Sequence, residues 1–322
     1  GNKANYVVNL INFTGLPVIK INTDGSAPVN SKEDYVQAHI TIDGAGSYPD
    51  FDGEMKIKGH GNSTWTFPKK PYKFKLDKKE PLLGEPEDKE WILLANYTDK
   101  TQIRNETAFF MGQISALDWT PHGRFAELFL NEEYEGTYQL CESVKVSDSR
   151  VNVTDDGYLL EVDQLSRLDP DDVYFNTHKM LVNIKEPDDE VNDEKYNYIS
   201  NYVVEAEDAL FGGNFTDPET GYAKYLDVPS FVDWYLINEI SKNNDAIFYS
   251  SCYMNLAPGG KLKMGPVWDF DIGFGNINYN DNNSPQGFWV KTSPWMTRLF
   301  EDPAFVQKVK ERFLYTSEEP RV

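Results

Sequence analysis

The sequence predicts an α+β protein whose first half is rich in β-strands and whose second half is more helical. Up to about residue 165, apolar and polar residues alternate in short runs separated by turns, which is the pattern of half-buried strands. Beyond it, apolar residues recur every three or four positions, as in amphipathic helices. Neither a repeat nor a long linker interrupts the 322 residues. We therefore predict a single domain over residues 1–322, with a β-rich lobe at about 1–165 and a helical lobe at about 166–322.

Strands come first along the chain because alternating runs and turn residues are concentrated there. In residues 36–42, for example, Val36, Ala38 and Ile40 would share one face of a strand. Polar residues and a glycine at 131–136 mark the turn of a hairpin. The predicted strands cover residues 6–11, 17–22, 36–42, 54–60, 71–77, 91–94, 124–130, 137–142 and 157–163.

Helices are predicted where the apolar spacing lengthens. In the first, apolar residues from Ile103 to Leu117 lie at steps of three or four, and Thr98 or Asp99 can cap the first turn. The segment after residue 169 is rich in acids and is predicted as surface loops followed by helices. The predicted helices cover residues 103–117, 198–210, 231–242 and 303–315, and a hairpin of residues 248–255 and 261–264 lies before the last.

A basic segment interrupts an otherwise acidic chain. Between Lys56 and Lys79 there are eight lysines and one acid, although the whole sequence has a net charge of −21. Alternation places Lys73 and Lys75 on one face of a strand. The loop before this strand includes Gly59, Gly61, Asn62 and Ser63. Because ammonium groups and backbone amides both bind phosphate oxygens, the segment predicts a phosphate cradle, although it lacks P-loop spacing. A hairpin with a solvated basic face is the alternative.

An acidic pair lies near the other end of the chain. In Gly265–Asn276 (GPVWDFDIGFGN), Asp269 and Asp271 stand two residues apart between apolar side chains. An extended backbone would place both carboxylates on one face. Paired carboxylates among apolar groups need a compensating cation, and hard oxygen ligands suit Mg²⁺ or Mn²⁺ holding phosphate oxygens. The pattern therefore predicts a metal clamp, and a strand end with solvated acids is the alternative.

Three other positions are candidates for binding. Arg104 begins the first predicted helix, where it can face a phosphate or a glutamate, or lie on the surface. Glu142 ends an apolar run, where a carboxylate usually has a partner such as a lysine of the basic strands. The polar cluster Asn243–Asp245 ends a helix just before a strand.

Charge and composition limit the possible partners. A net charge of −21 repels nucleic acid and anionic membrane surfaces, and it favours cations or basic protein partners. No apolar run is long enough to span a membrane. The first residues lack the charged and apolar regions of a signal peptide, and this absence does not argue against a targeting segment. Cys141 and Cys252 are predicted as buried thiols, with one disulfide as the alternative.

Five motifs follow one another over roughly residues 50–280. They are GHGNSTW with KKPYKFKLD, LLANYTDKTQIRN, the hairpin end GTYQLCE, INEISKNNDAIFYSSCYMN, and GKLKMGPVWDFDIGFGN. In this order they resemble the CotH-type (spore coat protein H) atypical protein kinases. The resemblance implies a divergent protein-kinase-like two-lobed fold that binds ATP with Mg²⁺ or Mn²⁺. It also implies phosphorylation of serines, notably in spore coat proteins, and for other members a surface or secreted location.

The resemblance further implies a role for each matching residue. Asp269 looks like the metal-binding aspartate of the D-F-G motif of ordinary kinases, and Asp271 completes the W-D-[FL]-D pair of the family. The polar cluster is similar to the catalytic loop that supplies a base and a metal-binding asparagine. The implied catalytic residues are Asp245 and Asp269, and the implied metal ligands are Asp269, Asp271 and Asn244. The implied nucleotide-binding residues are Gly59, Gly61, Asn62, Ser63, Lys73, Lys75, Arg104 and Glu142.

The sequence departs from the commoner family pattern R-G-R-G-N-S-T-W at two positions. Lys58 and His60 stand where arginines are usual, which weakens bidentate phosphate contacts. The H-R-D motif of ordinary kinases is absent from this chain, as it is from the family.

We therefore hypothesise a kinase that depends on ATP and on Mg²⁺ or Mn²⁺ and phosphorylates Ser or Thr on a protein substrate. We expect this substrate to carry basic or Ser-rich segments. We expect no nucleic-acid partner and no membrane span. We expect an extracytoplasmic or cell-surface location, with a cytoplasmic one as the alternative. A second hypothesis is an inactive kinase-like surface, adhesion or glycan-binding module that uses exposed aromatics. The candidate aromatics are Tyr279, Phe288, Trp289 and Trp295. A third is transfer of AMP to protein, because the same cradle and metals would serve it.

Overall fold

The computed structural model describes residues 14–187 and 191–318, so the strand predicted over residues 6–11 lies outside the described residues. Contacts divide the chain into two compact units. The first unit comprises the chain up to Gly61, Lys69–Ala95 and Arg124–Leu140, and the second comprises Asn62–Pro68, Asn96–Gly123 and the chain from Cys141. Each unit is thus assembled from segments that are distant in sequence.

The first unit is built on seven strands that form a closed barrel. The strands are β1 (Val18–Thr23), β2 (Val36–Asp43), β3 (Phe51–Gly59), β4 (Tyr72–Leu82), β5 (Glu85–Leu94), β6 (Gly123–Leu130) and β7 (Glu133–Glu142). Their order around the barrel is β1-β2-β3-β4-β5-β7-β6. Strands β1 and β6 pair in parallel, with Val18 opposite Glu127. This pairing closes the barrel.

The predicted alternation of β3 and β4 is confirmed. Met55 and Ile57 of β3 are fully buried, whereas Lys56 and Lys58 are half-buried. In β4, Phe74 is fully buried between the half-buried lysines of the same strand. Because successive side chains of a strand point to opposite faces, the apolar residues supply the core and leave the lysines on the outer face.

The second unit contains a five-stranded sheet. Its strands are β8 (Tyr158–Asp163), β9 (Val173–Asn176), β10 (Leu181–Glu186), β11 (Cys252–Leu256) and β12 (Lys263–Met264). Their order is β12-β11-β8-β10-β9, and each neighbouring pair is antiparallel. Strand β11 pairs with β8 across about ninety residues of chain, with Tyr253 opposite Glu161.

Five helices lie in the described part of the chain. They are α1 (Arg104–Gln113), α2 (Asp193–Phe211), α3 (Val228–Ser241), α4 (Pro294–Leu299) and α5 (Pro303–Glu318). Helix α3 begins as predicted, since the carboxylate of Asp227 accepts the N–H of Ser230 at 3.0 Å and Pro229 lies in the first turn. Asp233 of α3 accepts two hydrogen bonds from Arg312 of α5, at 2.6 and 3.0 Å. These contacts fix α5 on the buried helix α3.

The predicted fold class is wrong. The sequence predicted an α+β fold of the divergent kinase-like, two-lobed type with a helical C-terminal half. The structure instead has a closed seven-stranded barrel, a second sheet in the later half and five helices in the described residues. Strands β9 and β10 occupy a segment that was predicted as acidic loops. Pairings between distant strands, such as β1 with β6, leave no trace in local periodicity. The single domain over residues 1–322 stays a prediction.

Candidate active site

The segment that carries the acidic pair is a loop of the second unit and not the extended strand that the sequence suggested. After β12 the chain turns at Gly265 (φ 113°), and Asp269 has a left-handed backbone (φ 65°). Such a φ is uncommon for a residue other than glycine, although Asp and Asn tolerate it best. Phe270 is fully buried between the two aspartates. The buried ring and the turned backbone together fix the position of the two carboxyl groups.

Asp245, Asp269 and Asp271 form an acid cluster in the second unit. Burial raises the pKa of Asp269 well above its usual value, and the charges of Asp271 and Asp245 raise it further. Burial also raises the pKa of Asp271 and of Asp245. The structure thus brings together three carboxyl groups whose ionised forms repel one another.

The polar cluster Asn243–Asp245 contributes Asp245 to the acid cluster. Asn243 donates to the backbone oxygen of Asp269 at 3.3 Å. The amide nitrogen of Asn244 donates to Asp245 Oδ1 at 3.3 Å. The side-chain oxygen of Asn244, which is the predicted metal ligand, accepts hydrogen bonds from Asn280 at 2.7 Å and Asn282 at 3.3 Å. The side-chain oxygen of Asn244 is therefore hydrogen-bonded to the loop that follows the acidic pair.

Residues 96–105 support the acidic pair, a role that the sequence analysis missed. Asn105 of α1 accepts the backbone N–H of Phe270 at 2.7 Å, and its own amide donates to Asn96 Oδ1 at 3.0 Å. Thr98 Oγ1 donates to Asp271 Oδ2 at 3.0 Å and lowers the pKa of that carboxyl. These polar residues lie within the motif LLANYTDKTQIRN, and this motif was the one feature of the sequence that could have indicated their role.

Arg167 is a second residue that the sequence analysis missed. It lies in a short turn after β8, and its Nη1 is 3.8 Å from Asp245 Oδ2. Its charge lowers the pKa of both Asp245 and Asp269, against the effect of burial. No periodicity or spacing marks this arginine, because its neighbours come from the distant segment around residue 250.

The basic strands of the first unit form a lysine face. Glu90 of β5 binds Lys73 Nζ at 2.8 Å and Lys75 Nζ at 3.2 Å. The sequence analysis offered Glu142 as a partner and missed Glu90, which lies opposite Lys75 on the neighbouring strand β5. Lys56 and Lys58 lie over the ring of Tyr35, at 4.6 and 5.0 Å from its centroid. The ammonium groups are therefore held on one side of the barrel.

The glycine loop belongs partly to each unit. In the first unit, the Gly59 N–H donates to Ser31 O at 2.7 Å, so this amide is already paired. Gly61 has a positive φ of 78°. Burial lowers the pKa of the neighbouring His60 to about 3, and nearby lysines add to the effect, so the ring is neutral at pH 7. Asn62 and Ser63 belong to the second unit, where they are exposed at the start of a 3₁₀ turn.

The two remaining predicted residues have local partners in the second unit. Asp99 accepts the backbone N–H of Arg104 at 2.9 Å and forms an ion pair with its guanidinium. Glu142 is fully buried, and it accepts the backbone N–H of His122 at 2.9 Å and contacts the ring at 3.0 Å. Nucleotide binding by either residue stays a prediction.

The donor set of the acid cluster fits a hard divalent cation. Its donors are oxygen atoms, and Mg²⁺ is usually held by one or two carboxylates together with waters and phosphates. Among the described residues, the oxygens of the three carboxylates do not all lie within 4.8 Å of one another. The cluster is therefore wider than a closed cage of three carboxylates. Asp269 and Asp271 are the pair that would hold the cation, whose charge would relieve their repulsion.

The buried Glu161 leads us to predict that the stability of the folded protein depends on pH. Burial raises its pKa from 4.5 to about 7, although the charge of Lys185 opposes the shift. The folded state then binds more protons than the unfolded state between pH 4.5 and 7, so the free energy of unfolding falls as pH rises through this window. The loss should be roughly 3 kcal/mol. We expect Glu161→Gln to flatten this part of the curve of unfolding free energy against pH, as measured by urea denaturation. Glu219→Gln, at an exposed glutamate, should leave the curve unchanged, and an equally steep curve for Glu161→Gln would contradict the prediction.

Comparison with known proteins identifies the family. The sequence model of the family described as CotH kinase protein matches residues 57–320. The chain therefore belongs to the CotH family, and the resemblance noted in its motifs is confirmed. No curated protein matches the chain. Among the described residues, none of the helices has the length and apolarity needed to cross a lipid bilayer.

Proposed function

We propose that the protein transfers the γ-phosphoryl group of ATP to Ser or Thr residues of a protein substrate, in a reaction that depends on Mg²⁺ or Mn²⁺. The observation that carries the proposal is the acid cluster, in which burial raises the pKa of all three carboxyl groups and the charges of Asp271 and Asp245 raise that of Asp269 further. A site that is costly to ionise when empty is well suited to a divalent cation. Membership of a family described as kinases supports the same chemistry.

Each residue has a defined task in this proposal. A bound Mg²⁺ or Mn²⁺ would neutralise charge on the phosphate oxygens, and Asp269 and Asp271 would hold it. Asp245 accepts the proton of the substrate hydroxyl as its oxygen bonds to the γ-phosphorus. The bond from this phosphorus to the bridging oxygen breaks, and its electron pair leaves with ADP. Positioning and charge stabilisation account for most catalysis of this kind.

The lysine face is proposed to bind phosphate oxygens of the nucleotide. Lys73 and Lys75 both pair with the carboxylate of Glu90, and the charge of Asp88 also acts on Lys75. Both lysines are partly exposed, with 29% and 40% of their side chains accessible. The ammonium groups can therefore also reach an anion. Gly59, Gly61, Asn62, Ser63, Arg104 and Glu142 remain proposed nucleotide-binding residues.

The proposal is tested with the purified protein, ATP and a divalent cation. We expect ATP to raise the melting temperature in the presence of Mn²⁺ or Mg²⁺ and not in the presence of EDTA. Mass spectrometry of the protein substrate or of the autoreaction product should show phosphate on Ser or Thr. A product carrying AMP would instead support nucleotidyl transfer. Absence of both binding and transfer would overturn the proposal.

Lys73→Met should weaken ATP binding. Loss of one charge-assisted contact to a phosphate should cost about 1.5–3 kcal/mol, which is roughly a 10- to 100-fold increase in Kd. Isothermal titration with ATP and Mn²⁺ measures the change. Lys79→Met, at an exposed lysine of the same strand, is the matched control and should bind ATP as the unchanged protein does. Equal affinities for the two variants would remove Lys73 from the nucleotide site.

We also propose that the protein substrate carries basic or Ser-rich segments and that the protein works outside the cytoplasm or at the cell surface. The net charge of −21 supports a basic partner. The glycan-binding alternative gains no support from its aromatic residues. Trp295 is fully buried, and the ring nitrogen of Trp289 donates to the backbone of Asn244 at 3.0 Å. Tyr279 and Phe288 are exposed, which is common for single aromatic residues.

A further inference from the structure

Arg167 is a guanidinium that the structure fixes beside the acid cluster. Its Nη1 donates to Ser250 Oγ at 2.5 Å and lies 3.8 Å from Asp245 Oδ2. Its guanidinium carbon lies 5.2 Å from the centroid of the Tyr249 ring. About 28% of the side chain is accessible to solvent. The side chain is thus held on two sides and open on another.

The surroundings of Arg167 preorganise its guanidinium. The ring of Tyr249 and the hydrogen bond to Ser250 hold the guanidinium on two sides, and Gln164 donates to the backbone oxygen of Tyr249 at 2.9 Å, which fixes the backbone of this segment. A guanidinium has five N–H donors, and the contacts described for Arg167 use Nη1. Within the described part of the chain, Nε and Nη2 therefore keep donors for an anion.

A role limited to pairing with Asp245 does not account for this arrangement. The separation of 3.8 Å is longer than a hydrogen bond, and a partly exposed ion pair of this kind contributes about 0–1 kcal/mol. An exposed and fixed fork beside carboxylates that suit a metal ion is the usual arrangement for holding phosphate oxygens.

We propose that Arg167 is a further catalytic residue, whose guanidinium binds the phosphoryl group during its transfer. This inference rests on the proposed function. As the hydroxyl oxygen bonds to the γ-phosphorus and the bond to ADP breaks, Arg167 donates hydrogen bonds to the equatorial oxygens of the phosphoryl group. It keeps its own proton and charge throughout, while the hydroxyl proton passes to Asp245. Such a group stabilises the charge that spreads over these oxygens in the transition state.

The change in Mn²⁺ affinity when Arg167 is replaced distinguishes a catalytic role of this residue from a purely structural one. Arg167 is a positive charge beside the carboxylates that would hold the cation, so its removal should leave Mn²⁺ binding as tight or make it tighter. A residue that only held Asp245 and Tyr249 in place would, when removed, loosen the cluster and weaken Mn²⁺ binding. Removal of Arg167 should therefore lower the rate of phosphoryl transfer while the affinity for Mn²⁺ stays the same or rises.

The experiment compares Arg167→Gln and Arg167→Lys with the unchanged protein. We expect Arg167→Gln to lower kcat by about 10²–10³-fold with little change in KM for ATP, and Arg167→Lys to recover part of the loss because it restores the charge without the fork. Mn²⁺ titration without nucleotide should give an equal or lower Kd for Arg167→Gln. Arg298→Gln is the matched control, because Arg298 also lies over an aromatic ring and beside a carboxylate, and it should keep kcat.

The outcomes distinguish the two proposals. Normal kcat in Arg167→Gln, or weaker Mn²⁺ binding that accounts for a lower kcat, would overturn the role of Arg167 and leave the proposed function standing. A folded, unchanged protein that neither binds Mn²⁺ nor transfers phosphate would overturn the proposed function, and this inference with it.

Discussion

Asp269→Asn is expected to abolish phosphoryl transfer while the protein stays folded. Asparagine has the same shape and tolerates the left-handed backbone of this position (φ 65°). It removes one of the charges that would hold the cation, and a metal ion contributes several kcal/mol to a transition state of this kind. We therefore expect a decrease in kcat of about 10³-fold or more. Transfer of labelled phosphate from ATP in the presence of Mn²⁺ measures it.

The same variant should have a higher melting temperature when no metal is present. Above the raised pKa of Asp269, its ionised carboxyl group is repelled by Asp271 and Asp245, and the neutral amide of the variant removes that repulsion. The increase in melting temperature that Mn²⁺ produces in the unchanged protein should be lost. Asp171→Asn, at an exposed aspartate, is the control for a loss of one charge. Retained transfer in Asp269→Asn would show that the acidic pair is not the metal clamp.

Phe270→Ala is expected to cause a large loss of stability. The ring is fully buried between the two aspartates, and removal of a buried phenylalanine side chain costs about 3–5 kcal/mol. The loss should also disturb the acidic pair, because Asp269 and Asp271 directly flank the residue whose buried ring is removed, and the bond from its backbone N–H to Asn105 is a contact that remains. Urea denaturation, followed by circular dichroism, measures the free energy of unfolding.

Phe288→Ala is the matched control for this prediction. Its ring is 64% exposed, so its removal should change the free energy of unfolding by less than about 0.5 kcal/mol. A similar, small effect of both substitutions would show that the ring of Phe270 does not anchor the loop. A large effect of Phe270→Ala together with unchanged Mn²⁺ affinity would show that the ring stabilises the fold without positioning the carboxylates.

Local patterns predicted the strands of the barrel better than their arrangement. The alternation of Met55 and Ile57 with Lys56 and Lys58 is a property of adjacent residues, so the sequence predicted the two faces of β3 correctly. The parallel pairing of β1 with β6 depends on residues more than a hundred positions apart, and local periodicity contains no information about it. The closure of the barrel was therefore missed although the first half was predicted as β-rich, and the second sheet was missed because the second half was predicted as more helical.

In the candidate site, too, features that depend on adjacent residues could be predicted and features that depend on distant residues could not. Asp269 and Asp271 could be proposed from adjacent residues alone, because paired carboxylates among apolar side chains need a compensating cation. Their support by Asn105 depends on contacts across more than 160 residues of chain. Arg167 reaches the acid cluster through a turn after β8, and the position of this turn follows from the sheet and not from the residues around it. Such residues become candidates only when the fold is known.

The closed barrel and the short outer strands of the second sheet have a consequence for solubility. A closed barrel leaves no open row of backbone N–H and C=O groups on which another chain could add a strand. The second sheet is bounded by β9, with four residues, and β12, with two. Both are short templates for intermolecular pairing. This architecture limits aggregation through strand addition, and the net charge of −21 adds repulsion between copies of the protein.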